Sequence, residues 1–587
     1  MKKIVIFVLL GLTAFGIWHF WWNVWPPEIY RFENVSGPNE DNKLAEPAAL
    51  GVRDFDRGGP NRLAVLVTDS DSDWMGLVRG FKSQGIPATF TADPETALRH
   101  KVIIAYPGIS GRLLSQEAIR GLAQHVRSGA TLLTMDLAGG GLEELFGIEA
   151  QTPSRERTLI RWSGSGAPED RLTRFSSGRA EVKIGSLGLV PTSADVIARY
   201  DDGAAAAVCR RVGGRACILG VDLGSIAQRA MNGRSELFSP DFVNTYHPSM
   251  DVAFRWIRDL YVEGEDRPYL IGTAPGGRKG SLILTHDVDF TRSVANSLTY
   301  ADAIAKRGLS ATFLIQTKYV RDWNDDIFFN HANLPILKGL SRNMEIGSHS
   351  VSHARAFKTF PLGSGEEFYP KYRPFVESRT KARGGSLFGE LRVSKYLLEH
   401  FVGQQVRSFR PGHLSYPEAL PEVLTATGYR YSSTLTANSA QTHLPFQLSY
   451  GRSGRGLVSV WEFPVTIEDE KSPRLGDRFD AAVAVIDRIA GHGGVAVILI
   501  HPDITGHKLR FEERLIDRMK DRLWIGSLGA FGDWWSARDQ ADIDFDGERL
   551  HVNAPARLDA LEVRFPKGER TSVTLNGIRG RRAVALR

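Results

Sequence analysis

The chain has 587 residues, enough for three or four folded domains. Hydrophobic residues make up 42% and charged residues 24% of it, an ordinary globular composition that excludes collagen, a coiled coil and overall disorder. The formal net charge of +6 is small for this length, and no dense Lys/Arg stripe with interleaved aromatics occurs, so nucleic-acid binding is disfavoured. A mildly basic surface suits an anionic envelope or polymer.

The first segment of the chain has the features of a membrane anchor. Two lysines precede an uncharged apolar run from Ile4 to Trp25, close to the ~20 residues of a membrane helix. Tryptophans cluster at its far end, where an interfacial aromatic belt is expected. We predict that residues 1–26 are an uncleaved signal anchor, a transmembrane helix whose positive amino end stays in the cytoplasm. The alternative is a cleaved signal peptide.

This topology predicts a single-pass protein of the inner membrane whose remaining domains face the periplasm. Residues 27–60, rich in Gly, Pro, Asp and Asn, are predicted to be a linker. Two cysteines are too few for a disulfide framework. Cys209 and Cys217 lie on either side of a glycine pair that resembles a hairpin turn, so they could pair in an oxidising compartment. The alternative is that Cys217 is a small buried residue.

Strands and helices alternate over residues 61–265. Arg62–Thr68, Val102–Ala105 and Thr131–Met135 are short apolar runs typical of buried strands, and helical segments separate them. The alternation predicts a doubly wound α/β domain with a mostly parallel sheet and helices on both faces. The pattern resembles a flavodoxin-like, glutamine-amidotransferase-like domain. Because no nucleophilic Cys follows the central strand, we predict a non-catalytic module that binds sugar or a partner, or acts as a spacer.

The candidate chemistry lies in residues 275–538 and begins with a pair of carboxylates. Ser281–Thr285 is an apolar strand, and Asp287 and Asp289 follow it. Residues two apart on an extended chain point to the same side. One carboxylate can therefore hold a metal ion while the other handles a proton, although an isolated Asp-x-Asp is common.

A pair of histidines follows the next candidate strand, Met344–Gly347. If a helical turn begins there, His349 and His353 share one face at positions i and i+4, a spacing common in zinc sites. Taken alone, the pair could equally be two surface histidines. Combined with Asp289, it makes a ligand set that suits a divalent ion, zinc in particular, with positions left open for water and substrate.

Two further strand ends supply Arg410 and His501. Arg410 lies in Ser408–Gly412, where its guanidinium can fix a carboxylate through two hydrogen bonds. The apolar strand that begins at Val495 delivers His501 at its carboxyl end, where an imidazole can act as a general acid. The alternatives are a surface arginine before a turn and a structural histidine before a proline.

The order of these blocks resembles that of the NodB-homology polysaccharide deacetylases, the carbohydrate esterases of family four. The blocks are Thr285–Asp289, His349–His353, Phe409–Gly412 and Leu499–His501. The resemblance implies a distorted (β/α) barrel and a divalent metal cofactor, with zinc favoured. Val288 stands where a second Asp is usual, so the opening block resembles the Asp-x-Asp variant of the family.

The same resemblance implies a role for each residue. Asp287 is the base, Arg410 orients it, His501 protonates the leaving amine, and the metal is held by Asp289, His349 and His353. The family's fourth motif, an Asp and Trp pair, is not evident, and Glu462 or Asp503 are candidates for the partner of His501.

The implied function is removal of N-acetyl groups from an extracytoplasmic polysaccharide, either exopolysaccharide or peptidoglycan. One alternative is a metal-dependent hydrolase of another C–N bond or of an O-acetyl ester on the same scaffold. The other is a catalytically inactive scaffold that binds glycan. Any partners in envelope assembly are not named by the sequence.

Two other regions leave alternatives open. Residues 539–587 contain short strands separated by Asn and Gly turns, which predicts a small antiparallel β unit that is either a lid on the barrel or a glycan-binding element. The long segment Ala354–Ser386 carries six aromatic residues among Lys, Arg and Gly. It is predicted to be either a substrate-binding loop or a loop that packs its own aromatics.

Overall fold

The computed structural model describes residues 27–586 except 39, 140, 177–182, 233–240, 248–249, 453 and 455. The chain is a mixed α/β protein with three units in chain order. The predicted signal anchor, residues 1–26, lies outside the described residues. In the part of the chain that the structure describes, no helix combines the length and the apolar character needed to cross a membrane.

The first unit is built on an eleven-stranded sheet, with β4 and β6 paired separately. Its strands are β1 (Leu63–Val67), β2 (Ala88–Thr91), β3 (Val102–Tyr106), β4 (Ile109–Ser110), β5 (Thr131–Thr134), β6 (Leu137–Ala138), β7 (Ile148–Ser154), β8 (Leu159–Trp162), β9 (Leu172–Arg174), β10 (Ser186–Pro191), β11 (Asp195–Tyr200), β12 (Ala205–Val212) and β13 (Gly214–Leu219). Its helices are α1 (Trp74–Gln84), α2 (Pro94–Ala97), α3 (Gln116–Arg127), α4 (Glu143–Phe146), α5 (Leu223–Ala230) and α6 (Met250–Gly264).

Five strands of this sheet are parallel, in the order β2-β1-β3-β5-β13 that is common in doubly wound folds. Alternate residues of β1 face opposite sides, with Val65 packed towards α1 and α6 and Leu66 towards α3. Strands β7 to β12 are antiparallel, so the prediction of a mostly parallel sheet is wrong for this half. At the change from one half to the other, the reason is loop length: one residue separates β12 from β13, which permits only a hairpin.

The two cysteines lie directly opposite each other on that hairpin. Cys209 of β12 pairs in register with Cys217 of β13, and their sulfurs form a disulfide. Cys217 is therefore paired as well as fully buried, and the described residues contain no free cysteine.

The second unit is a ten-stranded sheet curled into a half barrel. The strands of this part of the chain also include one short accessory pair, β18 and β19, and β14, which belongs to the sheet of the third unit. They are β14 (Leu270–Ile271), β15 (Ser281–Val288), β16 (Thr312–Ile315), β17 (Glu345–Ser348), β18 (Phe375–Ser378), β19 (Lys381–Arg383), β20 (Ser408–Phe409), β21 (Tyr431–Ser432), β22 (Phe446–Ser449), β23 (Leu457–Glu462), β24 (Val465–Glu468), β25 (Val495–Ile500) and β26 (Trp524–Gly526). Its helices are α7 (Thr291–Ala305), α8 (Leu334–Leu340), α9 (Ser394–Val402), α10 (Leu420–Ala426), α11 (Ala437–Ala440), α12 (Phe479–Gly491), α13 (His507–Met519) and α14 (Leu528–Gln540).

Parallel pairing gathers the carboxyl ends of the barrel strands at one edge. The strand order is β22-β23-β21-β20-β17-β16-β15-β25-β24, and β26 also pairs with β15. Among these described strands, only β22 runs antiparallel to its neighbour. The strands near the two ends, β23 and β24, are consecutive in the chain, so the sheet curls round on itself. Side chains that follow β15, β17, β20 and β25 therefore approach one another, as in barrels whose sites lie at this edge.

The segment predicted to be a linker packs closely against the half barrel. Phe32 is buried beside Phe401, and its N–H donates to the Tyr369 hydroxyl at 2.7 Å. Arg392 donates to the carbonyl oxygen of Glu40 at 2.7 Å. Residues 28–38 and 40–42 are thus a fixed strap rather than a free tether, because apolar side chains within this polar segment reach the core.

The third unit is a small β structure of two three-stranded sheets, one of which includes β14. Its strands are β27 (Asp542–Phe545), β28 (Arg549–Leu558), β29 (Leu561–Arg564), β30 (Ser572–Leu575) and β31 (Ile578–Ala585). It packs on α14 and on β14, which precedes the amino end of β15. Of the two alternatives for this unit, a lid on the barrel is disfavoured by this position, because the polar edge of the barrel is at the opposite, carboxyl end of β15.

A buried carboxylate joins the first unit to the half barrel. Asp251 of α6 is 5% exposed and accepts hydrogen bonds from Gln84 Nε2 at 2.9 Å and from the His443 N–H at 3.0 Å. Burial raises the pKa of Asp251 to about 6 from its ordinary 3.8. The first two units thus share a polar contact inside their interface.

The raised pKa predicts a pH-dependent part of the stability. The folded chain holds this proton more tightly than the unfolded chain, so the contribution is full below about pH 4 and is lost as pH rises through about 6. The shift corresponds to roughly 3 kcal/mol. Asp251→Asn should therefore flatten the unfolding free energy measured in urea between about pH 4.5 and 7.5. The exposed control Asp266→Asn should keep the wild-type slope, and an unchanged slope in Asp251→Asn would contradict the assignment.

Candidate metal centre

The carboxyl edge of the half barrel gathers all six predicted site residues. Asp287 lies near the end of β15, with Asp289 just beyond it, and the loops after β17, β20 and β25 supply the others. All are buried, from 0% to 8% exposed: Asp287, Asp289, His349, His353, Arg410 and His501. The half barrel therefore brings together residues that are more than 200 positions apart in the chain.

Three of these side chains form a group that could hold a metal ion. The ligand atoms of Asp289, His349 and His353 all lie within 4.8 Å of one another. Asp289 Oδ1 and His349 Nε2 are buried and have no hydrogen-bond partner among the described residues. Buried polar atoms rarely lack a partner, and a carboxylate oxygen beside two imidazoles is a donor set that zinc accepts. The group therefore fits a divalent cation.

The protonation states of two members also fit a cation. Burial lowers the pKa of His349 to about 4, so this imidazole is neutral at neutral pH. Burial alone would raise the pKa of Asp289, but the charges of His501 and His353 outweigh it and lower the pKa to about 2. Metal ligands must be deprotonated, and both groups are.

The two histidines converge through a loop, so the predicted helical turn is wrong. Ser350 and His353 have left-handed backbones, with φ of 66° and 51°. The loop turns back on itself and places the two imidazole centroids 4.9 Å apart. The i and i+4 spacing thus correctly predicts that the two imidazoles lie close together, although the backbone between the two residues is not helical.

A buried carboxylate holds this loop in place. Glu390 is fully buried in a π-helical turn, Gly389–Val393, and accepts the N–H groups of Val351 at 2.8 Å and Ser352 at 2.9 Å. The Tyr372 hydroxyl donates to its other oxygen at 3.0 Å. Single π-helical turns are frequent at functional sites. Glu390 positions the histidine loop, and its only sequence signal is an acidic residue within an apolar helix start.

Arg410 fixes the predicted base. Its Nη1 donates to Asp287 Oδ1 at 2.8 Å and to Thr285 Oγ1 at 2.9 Å, while Nε and Nη2 donate to Ser433. The geometry therefore supports the prediction that Arg410 binds a carboxylate. The prediction that it does so through two hydrogen bonds is wrong, because only one joins it to Asp287. The guanidinium divides its donors among three residues because all of them are buried around it.

The partner of His501 is Asp469, which the sequence reading missed. Asp469 Oδ1 lies 2.7 Å from His501 Nδ1, and Oδ2 accepts the His501 N–H at 2.8 Å. Lys508 Nζ lies 2.6 Å from the same carboxylate. Burial alone would lower the pKa of His501, but the charges of Asp469 and Asp289 raise it well above its ordinary value. The available signal was a carboxylate directly after the apolar strand β24.

The two residues first proposed as that partner lie elsewhere. Glu462 accepts the N–H groups of Thr434 and Leu435 at 2.6 and 2.7 Å, and Asp503 pairs with Lys508. Both predictions are therefore wrong. Glu462 and Asp469 lie on opposite sides of the Phe463–Pro464 corner, where the chain passes from β23 to β24, and sequence spacing alone does not reveal this change of partner strand.

A sequence model of the polysaccharide deacetylase family matches residues 275–432, the part of the chain that carries both carboxylates, both loop histidines and Arg410. Residues 275–432 form a polysaccharide deacetylase domain. The match ends before Asp469 and His501, which the curled sheet adds to the same edge. No curated protein sequence matches the chain.

Several solved structures resemble the deacetylase domain. A polysaccharide deacetylase candidate from Mycobacterium smegmatis is 15% identical, with a TM-score of 0.33 over 45% of this chain and 93% of its own. A family 4 carbohydrate esterase from Streptomyces lividans is 16% identical, with a TM-score of 0.27 over 43% and 93%. A CE4 family pseudoenzyme from Bacillus anthracis is 18% identical, with a TM-score of 0.27 over 44% and 66%. At these TM-scores the structures carry no argument of their own.

Close packing at Gly412 predicts a sensitive position. A Cβ added to Gly412 would lie 2.5 Å from Cδ2 of the His353 ring. Gly412→Ala should therefore displace this imidazole and weaken zinc binding by about tenfold or more, measured by calorimetric titration. Gly491→Ala, where nothing lies within 4 Å, is the control and should bind zinc as the wild type does. Equal zinc affinity in the two variants would show that His353 is not a ligand.

Proposed function

We propose that the chain is a metal-dependent deacetylase that removes N-acetyl groups from an extracytoplasmic polysaccharide. One observation carries the proposal: Asp289 Oδ1 and His349 Nε2 are buried beside His353 with no hydrogen-bond partner in the described part of the chain, inside a polysaccharide deacetylase domain. Asp289, His349 and His353 would hold the ion, and zinc is favoured by the two imidazoles. Once bound, a divalent ion would lower the pKa of a water molecule and polarise the acetyl carbonyl.

The protein's own groups would handle the protons on the attacking side. Asp287 is proposed to accept a proton from the attacking water, and Arg410 holds that carboxylate at 2.8 Å. A base fixed in one orientation loses little entropy when the reaction occurs. Arg410 would therefore act as a positioning residue rather than as a group that contacts substrate.

His501 would act as the general acid for the leaving group. Its Nδ1 is held by Asp469, so Nε2 is directed towards the site and lies 3.7 Å from Asp289 Oδ2. His501 would donate a proton to the leaving nitrogen as the C–N bond breaks, giving acetate and a free amine. An amine is a poor leaving group until it is protonated, so a well-placed general acid favours amide over ester hydrolysis.

The domain limits and location are part of this proposal. We assign residues 61–265 to a doubly wound domain, 275–538 to the deacetylase domain and 539–587 to the small β domain. The apolar run at the amino end supports single-pass anchoring in the inner membrane, and the disulfide between Cys209 and Cys217 supports a periplasmic, oxidising location. The substrate would then be a polymer of the envelope or an exported polysaccharide.

Metal content gives the first test. Purified protein should bind about one equivalent of zinc, and His349→Ala with His353→Ala should retain under about 0.1 equivalent, because two of three ligands are gone. A control with the two exposed histidines replaced, His400→Ala with His551→Ala, should bind as the wild type does. Inductively coupled plasma mass spectrometry after dialysis measures all three. Equal zinc in both double variants would contradict the ligand assignment.

Acetate release gives the second test. The zinc-loaded protein should release acetate from a chitooligosaccharide, an acetylated exopolysaccharide or peptidoglycan. Asp287→Asn should lower kcat by at least about 100-fold while zinc stays bound, because the base is lost and the ligands remain. Absence of acetate from all three polymers would reject deacetylation.

A further inference from the structure

A segment of the first unit crosses onto the deacetylase domain beside the proposed catalytic residues. We call Asp241–His247 the bridging segment. The Asn244 N–H donates to the Thr466 carbonyl at 2.9 Å, and Asn244 Nδ2 donates to Glu468 Oε1 at 2.8 Å. The Glu468 N–H donates back to Asn244 Oδ1 at 2.9 Å. Glu468 immediately precedes Asp469, so Asn244, the central residue of the segment, is fixed next to the partner of His501.

A second asparagine anchors the segment from the deacetylase side. Asn438 Nδ2 donates to the Asp241 carbonyl at 3.0 Å and to Thr245 Oγ1 at 2.9 Å. Asn438 Oδ1 accepts the His247 N–H at 3.3 Å. The bridging segment is therefore held at several points along its length by the deacetylase domain, a rigidity that a precise contact with a ligand requires.

The middle of the segment adds an apolar side chain to the edge of the site. Val243 is buried in a small cluster with Leu414, Val465 and Leu499. Leu499 lies two residues before His501 on an extended chain, so both side chains leave the same face. Leu414 follows His413, whose ring lies 4.7 Å from the His353 ring. The cluster therefore borders both the general acid and the candidate metal ligands.

The neighbouring residue, Phe242, presents an aromatic ring to solvent. Phe242 is 51% exposed, although Asp241 and Asn244 on either side of it are hydrogen-bonded to the deacetylase domain. The long aromatic segment 354–386 supplies no ring as open as this one, because Phe357, Tyr369 and Tyr372 are buried. Its other three aromatic residues are only half-buried: Phe360, Phe368 and Phe375. Of the two alternatives for that segment, the structure favours the loop that packs its own aromatics. Phe242 therefore offers what that loop does not, an open aromatic face near the site.

We infer that the bridging segment forms one wall of the substrate cleft of the deacetylase domain. Phe242 would pack against a sugar ring of an N-acetylated glycan, because the C–H groups of a pyranose face suit the negative face of an aromatic ring. Val243 would complete the apolar surface that the acyl methyl group meets. The inference rests on the proposed function and makes the first unit part of the substrate site rather than a spacer.

The test measures glycan binding in a background that does not turn the substrate over. The zinc-loaded Asp287→Asn protein, with and without Phe242→Ala, is titrated calorimetrically with chitopentaose. Loss of the ring should weaken binding about tenfold, an effect expected when one aromatic contact is removed. Leu113→Ala, which removes another exposed apolar side chain of the first unit, is the matched control and should leave the Kd unchanged. Thermal unfolding of each variant checks that the fold is kept.

The outcomes separate this inference from the proposed function. If wild-type protein releases acetate but Phe242→Ala binds glycan like the background, the inference alone is overturned. If no acetate is released but Phe242→Ala weakens glycan binding, the cleft wall is supported and the deacetylase proposal fails. A background protein that binds neither chitopentaose nor a peptidoglycan fragment overturns the inference as well.

Discussion

The arrangement of the site depends on one buried arginine. Arg410 is fully buried, and a guanidinium in that position must satisfy its donors or destabilise the fold by several kcal/mol. Arg410 satisfies its donors by hydrogen bonds to Asp287, Thr285 and Ser433. Its backbone carbonyl accepts the Nδ1–H of His349 at 2.7 Å. The same residue thus fixes the proposed base and sets the tautomer that leaves His349 Nε2 free to bind a cation.

The histidines of the site have their own supports, each from a different part of the chain. Glu390 holds the loop between the two histidines through its backbone N–H groups. Gly412 leaves room for the His353 ring, and Asp469 with Lys508 holds His501. Such supports matter because a cation site tolerates little displacement of its ligands. The geometry of the site therefore depends on buried contacts that surround the few side chains proposed to bind the ion or transfer protons.

The sequence predicted the chemical groups better than it predicted their supports. Apolar strands followed by Asp289, His349, Arg410 and His501 are visible locally, because each strand end is marked by a change from apolar to polar residues. Asp469 was missed because its closeness to His501 depends on how the curled sheet pairs β24 with β25. The left-handed backbone of the histidine loop was missed because neither Ser nor His requires it.

Long-range packing explains the remaining differences. The polar composition of the strap predicts a linker, yet Phe32 packs into the core of the half barrel and Arg392 binds the Glu40 carbonyl. The antiparallel half of the first sheet follows from short hairpins that strand propensity does not distinguish from crossovers. The bridging segment has no sequence signal at all, because its contacts with Asn438 and Glu468 join residues about 200 positions apart.

The central claim is that Asp289, His349 and His353 bind one divalent ion. X-ray absorption spectroscopy at the zinc edge of the loaded, full-length protein tests it most directly, because imidazole rings give a characteristic multiple-scattering pattern. The account predicts two imidazole ligands together with oxygen ligands, at distances of about 2.0–2.2 Å. A spectrum with no imidazole contribution, or with sulfur ligands, would contradict it.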